Sequence, residues 1–205
     1  MAQNFKLSPI FQLESLPYAP TNSVVIGEHP VAIGAATLSY KQRANITVWQ
    51  SVDPFGKSGD YTALFANVRI PAGKITVVPK FAHFVDWKFQ QAGVSIFSVE
   101  LQGGNTWKWS TTTNTVVFHG RSPRWVQQGS LSRWGISLNG WYFLDQGVST
   151  VTAGLAYATP TFPLSEKLQG KFTCLWNESI SRLTGQQDGY GQEHTVSLQF
   201  TVSRK

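Results

Sequence analysis

The feature that most limits what this chain can fold into is a period-two alternation of apolar and polar side chains. Over residues 194–202, Val196, Leu198, Phe200 and Val202 fall on one parity, and Thr195, Ser197, Gln199 and Thr201 on the other. Over 81–89, Phe81, Val85, Trp87 and Phe89 again share one parity. This spacing puts one set of side chains on each face of an extended strand, which a helix cannot do. Further β-rich runs cover 44–50, 61–70, 74–78, 93–101, 115–119, 132–138, 141–144 and 149–158. In 94–101 the apolar parity shifts from Val94 and Ile96 to Phe97, Val99 and Leu101, which predicts either a β-bulge or burial on both faces.

The punctuation agrees with an all-β fold. Asn139-Gly140 predicts a hairpin turn, because both residues tolerate positive φ. Gly103-Gly104-Asn105 predicts a second turn, and 53–60 and 188–191 read as longer polar loops. Helix is limited to one turn over Pro163–Gly170, capped by Ser165, and a weaker candidate over Asn177–Leu183. The first 30 residues hold Pro9, Pro17, Pro20 and Pro30, so 1–30 reads as an extended N-terminal arm with a short strand at Val24, Val25 and Ile26. Residues 31–205 then form a single domain, a jelly-roll-like β-sandwich or barrel of about 8–10 strands.

Composition narrows the function. Apolar residues make up 41 % of the 205, which excludes disorder, while charged residues are only 14 %. No apolar run reaches the length of a membrane helix, and the opening residues do not read as a signal peptide, so no membrane partner is expected. Cys174 has no cysteine to pair with and reads as a small core residue. His29, His83, His119 and His194 are scattered without metal-ligand spacing. The acids offer no evident catalytic pair, and no G-x-S-x-G elbow is present. The chain is therefore read as a non-enzyme with no metal and no cofactor.

Two constellations remain. Arg121, Arg124 and Arg133, with Trp125 and Trp134, repeat an Arg-Trp step within a short stretch. Converging guanidinium groups would grip phosphate while the indoles stack on bases, so this set is the candidate anion or nucleic-acid site. Trp107 and Trp109 flank Lys108 on one parity and could bury in a subunit interface or stack on sugar rings. The net charge of +6 suits a phosphate polymer.

A Pro-punctuated arm before a low-charge, Trp-rich β domain resembles the jelly-roll coat proteins of small icosahedral viruses, the picorna-like plant viruses in particular. Residues Val85–Leu101 and Gly140–Ser165 carry the resemblance. It implies a structural capsid protein of the virion that self-assembles in the host cytoplasm. Its partners would be homo- or hetero-oligomeric coat subunits and genomic RNA. The alternatives are a lectin-like or phage adhesion module that binds carbohydrate, and a β-sandwich hydrolase.

Overall fold

The computed structural model describes residues 4–14, 18–19, 24–25, 30–54, 61–86, 93–118, 123–145, 148–183 and 190–204. Twelve strands form one closed wall. They are β1 (Phe5–Glu14), β2 (Val31–Tyr40), β3 (Ala44–Val52), β4 (Tyr61–Val68), β5 (Ile75–Asp86) and β6 (Val94–Gly103). The second half holds β7 (Lys108–Phe118), β8 (Arg124–Arg133), β9 (Ile136–Asp145), β10 (Val148–Ala158), β11 (Leu168–Leu183) and β12 (Tyr190–Arg204). Each strand pairs antiparallel with its neighbours in sequence, and β1 closes the ring against β12. Closure leaves the wall without an open edge. Short pieces decorate it: Ile70–Ala72 pairs with β5, Phe162–Pro163 with β11, and Tyr18–Ala19 with Val24–Val25.

The expected jelly roll is thus replaced by an up-and-down barrel. A jelly roll needs Greek-key connections that skip neighbouring strands, and here every connection between wall strands joins adjacent ones. Phe5–Glu14, expected within an extended arm, is extended but forms ladders with both β2 and β12. Asn139-Gly140 lies inside β9, and the turn between β8 and β9 is Trp134-Gly135, with φ of 53° and 81°. The turn at Gly103-Gly104-Asn105 is present: Gly104 has φ of 93°, and a Cβ there would lie 1.9 Å from the Trp107 carbonyl oxygen. No helix forms over Pro163–Gly170. Ser165 Oγ accepts the backbone N–H groups of Lys167 and Leu168 in a bend ahead of β11, and Asn177–Leu183 belongs to that strand. β6 keeps one unbroken register with β5 and β7, so its parity shift is not a bulge.

The shift has another cause, which holds for the whole wall. Apolar residues of one parity face outward: Phe11 and Leu13 on β1, Leu38 on β2, Ile46 and Val48 on β3, Phe97 and Val99 on β6. The same is true of Leu138, Leu155, Trp176, Val196 and Leu198 on the later strands, all exposed. The opposite parity points into the barrel and is rich in hydroxyl and amide groups. The usual arrangement, apolar inside and polar outside, is inverted over much of the barrel. Cys174 follows the pattern: expected in a core, it is exposed on the outer face of β11. Val85 to Leu101 contributes to both faces, with Ile96 buried inside and Phe97 exposed outside.

Candidate functional site

Two ends follow from the connectivity. The turn end carries the connections 41–43, 69–74, 104–107, 134–135 and 159–167, together with Asn4 and Arg204. The opposite, loop end carries the remaining connections. The barrel interior divides between them.

Toward the turn end the inner wall is a polar ladder. Thr37 and Thr47 hydroxyls lie 2.8 Å apart, Asn45 Nδ2 donates to Asn67 Oδ1 at 3.0 Å, and the Ser110 and Ser130 hydroxyls lie 2.8 Å apart. Deeper, Ser98 Oγ donates to Asn114 Oδ1 at 2.6 Å, and Asn114 Nδ2 donates to the Val126 carbonyl at 3.2 Å. Glu100 is paired with Lys80 from the next strand and also accepts from Gln102 Nε2 at 2.9 Å. Arg69 Nη2 in turn donates to Gln102 Oε1 at 2.9 Å. Two cavities open beside this chain of bonds. One, of about 430 Å³, is lined by Arg69, Lys74, Glu100, Lys108, Ser130 and Ser132. The other, of about 800 Å³, is lined by Lys6, Ser8, Ser39, Lys41, Asn45 and Arg69. The mouth at this end is therefore polar and basic, with Glu100 already neutralised by Lys80.

Toward the loop end the inner wall changes character. Val116 and Val126 are fully buried, Ile96 and Ala82 nearly so, and Phe65, Phe84 and Val94 pack against them. Trp49 on β3 meets Tyr61 and Phe65 on β4 edge-on, at centroid distances of 5.3 and 6.0 Å. Phe65 meets Phe84 on β5 at 5.4 Å. Val31, Ile33 and Trp141 are also buried on this inner face. The polar mouth therefore leads to a stretch packed mainly with apolar side chains, where Ser51 and Asp53 are also buried and Arg124 faces inward beside Val116.

The outer rim at the turn end is aromatic. Phe5 and Tyr40 rings lie 4.9 Å apart, and Lys41 Nζ lies 5.3 Å from the Tyr40 ring centre. The Arg133 guanidinium lies 3.6 Å from the Trp134 ring centre and 5.3 Å from that of Trp107. Trp109 lays its ring over Gly103, where a Cβ would come within 2.7 Å of it. One polar cluster on the outer face is satisfied internally: Thr113 Oγ1 donates to Gln127 Oε1 at 2.7 Å, and Gln127 Nε2 donates to Thr111 Oγ1 at 2.8 Å.

The arginine set does not assemble as one patch. Arg124 begins β8 at the loop end, facing inward beside Val116, while Arg133 ends the same strand at the turn end. Nine steps of strand separate them by about 30 Å, and Arg121 lies outside the described residues. Trp125 and Trp134 are 59 % and 79 % exposed, at opposite ends of that strand. Trp107 and Trp109 both lie at the turn-end rim, Trp107 beside Arg133 and the Trp109 ring over Gly103. His83 faces outward on β5, with Nδ1 2.9 Å from Ser95 Oγ. Among the described residues no group of His, Cys, Asp or Glu could hold a metal. What sequence reasoning missed is the lumen itself. Its hydroxyl and amide groups are visible in the sequence as the polar partners of each alternating run, but alternation does not say which face turns inward.

Comparison with known proteins bears on the fold. No family model matches the chain, and no curated protein does. Among solved structures the chain is similar to a KdgM porin, with a TM-score of 0.58 and 6 % sequence identity, over 97 % of this chain and 98 % of that one. This likeness spans the whole barrel. It overturns the coat-subunit reading, together with its virion location, its shell of like subunits, its genomic RNA and its exclusion of a membrane. A jelly roll keeps its apolar faces inside. This barrel turns an apolar face outward around its circumference and shares its closed architecture with a porin.

Proposed function

We propose that the chain is a membrane-spanning β-barrel of the outer-membrane type, acting as a passive, non-catalytic channel for small hydrophilic solutes. One observation carries the reading: in a closed antiparallel wall, Leu38, Val48, Val99, Leu155 and Leu198 face outward and are exposed, while Thr37, Thr47 and Ser110 face inward. In water such a surface would strip apolar area bare on every side. In a bilayer it is the stable arrangement, because lipid matches the outer face and the closed ladder leaves no backbone group unpaired. Strand length agrees. A tilted strand crosses the hydrocarbon core with about 9–11 residues, and the wall strands have 8 to 16. That no helix of the described residues is long and apolar enough to cross a membrane says nothing against it.

The interior sets what such a channel would conduct. The basic mouth draws in anions before cations, and the apolar stretch around Phe65 and Val116 limits flow by dewetting. Planar-bilayer recording of the refolded protein tests this directly. The expected result is discrete, small conductance steps with anions favoured over cations. A protein that stays soluble and monomeric without detergent, and never inserts, would overturn the reading.

A further inference from the structure

A second cavity lies outside the lumen. At the turn end of the outer wall, where β1 meets β12, a groove of about 770 Å³ is lined by Pro9, Phe11, Leu168 and Val202, and by Lys167 and Arg204 at the turn-end limits of β11 and β12. Glu166 and Ser165 also border it. The Ser165 hydroxyl is engaged in accepting the Lys167 and Leu168 backbone N–H groups, which fixes the bend that carries Lys167. A floor of aliphatic and aromatic side chains with cations at its turn end has the polarity of a phospholipid: acyl chain below, phosphate above. The aromatic rim is continuous with it in composition, and rings of this kind settle at headgroup depth.

The charge of the described turn-end residues points the same way. At the turn end, Lys6, Arg69, Lys74 and Lys108 ring the inner mouth, and Lys41, Arg133, Lys167 and Arg204 lie on the turns or the outer parity. Glu166 is the one acid on a described connection there. Glu14, Asp53, Asp86, Asp145 and Glu193 lie on the loop-end portions of the chain, where they outnumber Arg124 and Arg182. We infer that the groove between β1 and β12 binds an anionic phospholipid, its acyl chain against Phe11, Leu168 and Val202 and its phosphate between Lys167 and Arg204. The inference rests on the membrane reading and adds a specific lipid and a specific place to it.

Native mass spectrometry of the protein refolded in a neutral detergent tests it. The barrel is titrated separately with phosphatidylglycerol, phosphatidylcholine and inorganic phosphate. The account expects phosphatidylglycerol to bind as a discrete adduct in preference to phosphatidylcholine. The preference should fall about fivefold for each cation removed in K167Q and R204Q. K108Q, inside the mouth, should leave it unchanged. Equal retention of the two lipids by a folded barrel overturns the inference and leaves the membrane reading standing. So does a preference that survives the double variant, or one abolished by inorganic phosphate at matched ionic strength, which would make the site one for a free oxyanion. Failure to refold in any detergent or vesicle, with a soluble monomer instead, removes the membrane reading itself.

Discussion

The two halves of the barrel interior are built from the same strands and differ in almost every physical respect. On β7, Ser110 and Asn114 serve the polar ladder while Val116, one step further along the same face, is fully buried in apolar contact. On β3, Asn45 and Thr47 bond across the wall, whereas Trp49 starts the aromatic cluster. The turn-end half opens into cavities lined by Lys6, Arg69, Lys74 and Lys108. The loop-end half is narrowed by apolar and aromatic side chains packed against one another. The wall is therefore closed by hydrogen bonds throughout, but apolar side chains crowd its interior toward one end only. This division teaches where stability and permeation separate: the packed half holds the barrel together, and the open half receives solute.

The contrast is broken most severely by Phe65→Ala. Removing a ring that touches both Trp49 and Phe84 should destabilise the folded barrel by about 3–5 kcal/mol and raise single-channel conductance. Urea titration in vesicles and bilayer recording read the two effects, and unchanged conductance would place the constriction elsewhere. Val48→Arg probes the outer face instead. Val48 is 51 % exposed at the middle of its strand. A soluble protein would tolerate the change within about 0.5 kcal/mol, whereas a lipid-facing site should lose about 2–4 kcal/mol.

Gly154→Val tests the packing between the halves. A Cβ at Gly154 would lie 2.3 Å from Asn177 Oδ1 and 3.0 Å from Trp141 Cζ3, both buried, so repacking should cost about 1–3 kcal/mol by the same titration. The smallest effect is expected at Gly135→Ala. This turn residue has φ of 81°, and a Cβ there would come within 2.5 Å of the Ala158 carbonyl oxygen, so its substitution should cost about 1–2 kcal/mol without altering conductance.

Much of this was legible in the residues. The period-two runs located the strands, and Gly104 marked a real turn. The face assignments were not legible, because alternation states that two faces differ and not which one meets water. One clue did bear on it. The polar partners of the apolar runs are Thr, Ser, Asn and Gln, and charged residues make up only 14 % of the chain. A sheet face in water would carry Lys and Glu, whereas a lumen shared with neighbouring side chains favours uncharged groups that bond to one another, as Thr37 does with Thr47. Asn139-Gly140 misled for a related reason. Local turn propensity yielded to pairing on both sides, with Ser130 and Gly154 opposite Asn139. The arginines were read together because they are close in sequence, and a strand of ten residues was enough to send Arg124 and Arg133 to opposite ends.

The single cysteine offers the most direct test of which face meets lipid. Cys174 is exposed on the outer parity of β11, and its neighbour Thr173 lies on the inner parity opposite Ala158. An environment-sensitive fluorophore on Cys174 of the vesicle-embedded protein should be quenched by nitroxide-labelled lipid chains and shielded from aqueous iodide. The same fluorophore at Thr173→Cys in a Cys174→Ser background should show the reverse. If iodide quenches the Cys174 label while lipid nitroxides do not, the apolar face is not turned to the bilayer and the account is wrong.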